Sequence, residues 1–115
     1  MTADTYRALA LALEGVEEKA HMGHPDFRVN GRIFATLLDQ RRATIMLTPE
    51  EQAAVMDEAP AVFTPAPGAW GRQGATSVAL PAAREPEVRG ALLLAWERIR
   101  LMPPPRRRSP ARRTR

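Results

Sequence analysis

The dipeptide Asn30-Gly31 constrains this chain more than any other feature. A two-residue type I′ turn needs positive φ at both central residues, and Asn-Gly is the pair that adopts it most readily. Before the turn, Phe27 and Val29 alternate with Asp26 and Arg28. After it, Arg32-Ile33-Phe34-Ala35-Thr36-Leu37-Leu38 is apolar on both faces, as a central strand is. The pattern predicts an antiparallel hairpin. A plain two-residue register joins Val29 to Arg32 and Phe27 to Phe34, with the aromatic pair marking the buried face. A bulged register is also compatible.

The rest of the chain builds outward from this hairpin. Residues 18–47 read as strands, with Pro25 starting a new segment. Asp39-Gln40-Arg41-Arg42 is a polar turn, and Ala43 to Leu47 is the next strand. Upstream, Asp4 to Glu14 reads as a helix on its alanines, with Asp4 as cap and Gly15 as the left-handed residue that ends it. Tyr6, Leu9 and Leu13 share one face of it. Thr48-Pro49-Glu50-Glu51 is a helix start, because Thr48 can cap, Pro49 suits the first turn and the glutamates complement the dipole. That helix should end before Pro60.

Residues 60–74 are rich in Pro and Gly and read as an ordered loop or partial strand. Ala75 to Leu80 is a last short strand. Pro86 opens a final helix with an apolar stripe of Val88, Leu92, Ala95, Trp96 and Ile99, stopping at Pro103. Strands clustered between helices predict an α+β domain of two layers. The N- and C-terminal helices should cover one face of an antiparallel sheet, leaving the other open to water or a partner.

Charge divides the chain in two. Residues 103–115, PPPRRRSPARRTR, hold six of the 17 basic residues and none of the 13 acidic ones, so residues 1–102 sum to −2. We read 1–102 as one domain and 103–115 as a disordered Pro/Arg-rich tail. Arg106, Arg107, Arg108, Arg112, Arg113 and Arg115 could bind a nucleic-acid backbone without sequence preference. They could equally be a solubilising extension.

Several chemistries find no residues. The chain has no cysteine, hence no disulfide, thiolate zinc site or cysteine nucleophile. No segment approaches the roughly 20 apolar residues that span a bilayer. The first residues lack the basic region of a signal peptide, so a cytoplasmic location is expected. His21 and His24, read within one strand, have an odd spacing that puts them on opposite faces, so no metal site is expected. Glu17/Glu18, Glu50/Glu51 and Asp57/Glu58 read as solvated surface, and Ser77 and Ser109 lack a nucleophile elbow. The glycines at 68, 71 and 74 are not followed directly by a helix and make a weak phosphate cradle. No catalytic residue and no cofactor are expected.

The arginines of the turns are better candidates. Arg28 and Arg32 flank Asn30-Gly31, Arg41 and Arg42 sit at the next turn, and Arg72-Gln73 lie in the Trp70 loop. If these tips project from one edge of the sheet, they form a basic rim suited to phosphates and base edges.

Gly15 to Val29 (GVEEKAHMGHPDFRV), Gly31 to Leu37, Leu47 to Gln52, Pro67 to Gly74 and Ala95-Trp96 together resemble the MmcQ/YjbR family, over about residues 5–101. The resemblance implies a CyaY/frataxin-like fold and a proposed DNA-binding role through paired wing-like hairpins. It implies contacts at Arg28, Arg32, Arg72 and Gln73, which lie in the matching motifs. The family often carries Trp where this chain has Ala75, and a basic residue where it has Met46. Both departures weaken a base-stacking or phosphate-contacting sheet face. The acidic first helix of frataxin-type iron handling is reduced to Asp4 and Glu14, so iron binding is not implied. The expected function is a small non-enzymatic DNA-binding protein. The alternative is a protein-interaction or adaptor domain using the open sheet face or the Trp70 loop.

Overall fold

Among the described residues the strands form one antiparallel sheet of six, in the order β1-β2-β3-β4-β6-β5. They are β1 (Val16–His21), β2 (His24–Val29), β3 (Arg32–Leu37), β4 (Arg42–Met46), β5 (Phe63–Pro65) and β6 (Ala75–Ala79). The helices are α1 (Ala3–Leu11), α2 (Pro49–Glu58), the short α3 (Gly68–Arg72) and α4 (Glu85–Ile99). The computed structural model describes residues 1–105. Arg106, Arg107, Arg108, Arg112, Arg113 and Arg115 lie outside the described residues, and so does the expectation of disorder after Pro105.

The Asn30-Gly31 turn forms as the sequence predicts, with φ of +54° and +77° and Val29 opposite Arg32. The register then slips: Arg28 faces Ile33, but Phe27 faces Ala35. The expected Phe27–Phe34 pair is therefore absent. Phe34 has no β2 partner of its own, which makes it the extra residue of a bulge. The bulge lets the neighbours Phe34 and Ala35 both reach the core, where neither has exposed surface.

A second tight turn was hidden in the segment read as one strand. Met22 and Gly23 have φ of +53° and +82°, and His21 pairs directly with His24. The segment therefore folds into β1 and β2, and Pro25 lies inside β2. Met at a position that favours Asn or Gly concealed the signal.

Alternation along the strands sorts the two faces. Phe27, Ala35, Ile45, Val78 and Phe63 face the helices and are buried. Tyr6 of α1 meets Phe27 edge-on, with ring centroids 6.1 Å apart, and its hydroxyl donates to the Thr44 carbonyl at 3.3 Å. Val88, Leu92, Ala95 and Ile99 of α4 complete this layer. Each fully buried large apolar side chain contributes about 1.5–3 kcal/mol.

The helix ends differ from expectation in detail. Thr2 caps α1 by accepting from the Thr5 N–H, while Asp4 lies inside the first turn and pairs with Arg7. The helix ends at Leu11, short of Glu14. Thr48 caps α2 in a reciprocal box with Glu51, as its sequence foretells. Residues 60–74, expected to be loop or partial strand, include β5 and α3.

Candidate functional site

The face away from the three longer helices carries Lys19, Asp26, Thr36, Thr44, Ser77 and Thr64 side by side, one from each strand. A groove of about 350 Å³ runs over this face. Its lining includes His21, Met22 and His24 at one side and Trp70 at the other, with Thr36 and Met46 on the floor. Thr36 Oγ1 is buried there without a hydrogen-bond partner among the described residues. Trp70 is 63% exposed.

Trp70 is held out by a firm base. Gln52 of α2 donates through Nε2 to the carbonyls of Gly71 and Ala75, both at 3.0 Å. Thr76 Oγ1 donates to the Gly74 carbonyl at 2.8 Å. Gly71 and Gly74 leave no room for a Cβ, which would run into Ala66 and Leu47 backbone respectively. Arg98 of α4 reaches Glu51 and the Met46 carbonyl and ties the same corner to the C-terminal helix.

The expected contact residues fall in three different environments. Arg28 forms a two-point ion pair with Asp26, with Nε donating at 2.7 Å and Nη2 at 3.1 Å. Asp26 is completely buried, and its hydrogen bond raises the guanidinium pKa further above its usual range. Arg28 is thus occupied within the fold. Arg32 donates Nε to the Pro103 carbonyl at 2.7 Å, and its four other N–H groups have no partner among the described residues. Arg72 and Gln73 are exposed at the end of α3.

Register shows which tips belong together. Arg32 begins β3, Met46 ends β4 beside it, and Ala75 pairs with Met46. Arg32, Arg72 and Gln73 therefore share one end of the sheet. Arg41 and Arg42 lie at the opposite end, with Met22-Gly23, so the expected single rim of arginines divides. At that far end the backbone N–H groups of Arg41 and Arg42 bond Asp39, and they hold its carboxyl below the usual range.

The segment after α4 arrives at the Arg32 end as well. Asn30 Nδ2 donates to the Met102 carbonyl at 2.5 Å, and Pro105 packs against Gly31. This strap was not legible in the sequence, since nothing in the composition of Pro103-Pro104-Pro105 names its docking site. The other unforeseen residue is Asp26. Its spacing of two from Arg28 was the available signal, because i and i+2 share a strand face.

His21 and His24 are also corrected. As partners across a two-residue turn they lie on one face, both exposed toward the groove. Among the described residues, no three His, Cys, Asp or Glu side chains converge. No helix among them is long and apolar enough to cross a membrane.

The YjbR family model matches residues 11–98. No curated protein and no solved structure matches the chain.

Proposed function

The chain belongs to the YjbR family, and from that premise we propose that it is a non-enzymatic nucleic-acid-binding protein that makes its contacts from one end of the sheet. The observation that carries this reading is that Arg32, bonded to the strap Met102–Pro105, lies at the same end of the sheet as Arg72 and Gln73. Pro105 lies on the β2–β3 turn, and the run of arginines follows it directly in the sequence. Six tail arginines supply nonspecific attraction to phosphate. Arg32 and the Arg72-Gln73 pair supply fixed donors beside it. Arg28 serves the fold and supports the hairpin without touching the ligand. Because residues 1–102 sum to −2, attraction to phosphate depends on this clustering and not on overall charge.

The test is binding of a fluorescent DNA duplex by the Arg32→Ala/Arg72→Ala/Gln73→Ala protein, with its fold checked by circular dichroism. Weaker binding by a folded variant supports the reading, and unchanged binding counts against it.

One observation favours a second reading, a protein-interaction domain. Trp70 stands largely exposed beside a groove lined mostly by apolar side chains. A Trp70→Ala protein that keeps full DNA binding but loses a protein partner would favour that alternative.

A further inference from the structure

We propose that the β1–β2 hairpin binds a cuprous ion through the imidazoles of His21 and His24 and the thioether of Met22. The site is independent of the nucleic-acid reading, because it lies at the opposite end of the sheet from Arg32.

The register carries the first part of the argument. His21 and His24 close a two-residue turn as direct cross-strand partners, so both side chains leave the sheet on the open face. Residues opposed in this way have Cβ atoms about 4.5–5.5 Å apart. That separation allows two imidazoles to reach one ion between them. Both are exposed, so neither must leave a packed position to do so.

Composition of the groove carries the second part. The chain has only two histidines and five methionines. Both histidines, together with Met22 and Met46, line this one groove. Met46 lies toward the Arg32 end, so the nitrogen and sulfur donors at the turn itself are His21, His24 and Met22.

The turn carries the third part. Met22 and Asn30 occupy equivalent positions in two similar hairpins, with φ of +53° and +54°. Asn is the expected residue at this backbone conformation, and Met is not. Met22 is also 84% exposed, so packing does not explain it. A metal-binding role for its thioether, beside His21 and two residues before His24 in the chain, does.

The donor set selects the ion. Zinc generally takes four ligands from Cys, His and carboxylates, and no three of these converge among the described residues. The carboxylate nearest in β2, Asp26, is buried and already bound by Arg28. Thioether and imidazole together suit Cu(I), a soft ion. Binding is simple coordination of an ion that arrives reduced, with no electron transferred to the protein.

The test is an anaerobic titration of the full chain with Cu(I), held reduced by ascorbate, against a chromophoric Cu(I) chelator. One ion per chain should be withdrawn. His21→Ala, His24→Ala and Met22→Leu should each weaken binding by at least the about tenfold that loss of a mere outer-shell partner brings. Circular dichroism should show all three variants folded, as expected for exposed positions. Failure to withdraw any copper would overturn the proposal. So would undiminished affinity in the His21→Ala/His24→Ala protein or in Met22→Leu.

Discussion

Arg28 grips Asp26 through two hydrogen bonds, of 2.7 and 3.1 Å, from a position two residues along the same strand. The carboxylate has no exposed surface, while the arginine remains 27% exposed. The pair places a charge on the open sheet face and neutralises it there. Arg28→Ala would leave that carboxylate buried and unpaired, at a cost of about 3 kcal/mol. Asp26→Leu/Arg28→Leu removes both charges together and should lose less. Urea denaturation measures both, and an equal or larger loss in the double variant would contradict the pairing.

Tyr6 gives a prediction in pH. It is the chain's single tyrosine, fully buried, and burial raises its pKa far above the usual 10.0. The unfolded chain therefore loses this proton first as pH rises. Its contribution is fully present below pH 10 and declines above it by about 1.4 kcal/mol per pH unit. Tyr6→Phe should remove that decline. It should also lose about 1 kcal/mol at neutral pH with the hydrogen bond to Thr44. Stability measured at pH 9 to 11 in both proteins checks the sign, and parallel curves would contradict it.

Much of the fold was legible because local chemistry agreed with it. Asn30-Gly31 gave the turn, Thr48-Pro49-Glu50-Glu51 gave the cap of α2, and the apolar stripe of Val88 to Ile99 gave the buried face of α4. The bulge at Phe34 was not legible, because two adjacent apolar residues fit a central strand as well as a bulge. The turn at Met22-Gly23 escaped because Met hides a left-handed backbone. The candidate site suffered in the same way. Arg28 and Arg32 look alike beside the turn, and only the fold gives one a buried carboxylate and the other a proline carbonyl.

Gly74 should be among the least replaceable positions around Trp70. Its φ of +117° disfavours any side chain, and an added Cβ would collide with the backbone of Leu47. Gly74→Ala should lose on the order of 3 kcal/mol. It should also change the Trp70 emission, since the Gln52 bonds to Gly71 and Ala75 hold the backbone on both sides of Gly74. Thermal unfolding followed by tryptophan fluorescence tests this, and wild-type stability would contradict it. Gly90, around which nothing lies within 4 Å, is the control position.

The salt dependence of DNA binding tests the central claim most directly. Full-length protein and a chain ending at Pro105 should be titrated with the same duplex across a range of salt concentrations. If the six tail arginines each neutralise a phosphate, the log–log slope should be steeper in the full chain by about 5. Arg32→Ala in the shorter chain should reduce the remaining slope by about 1. Equal slopes for the two chain lengths would contradict the account.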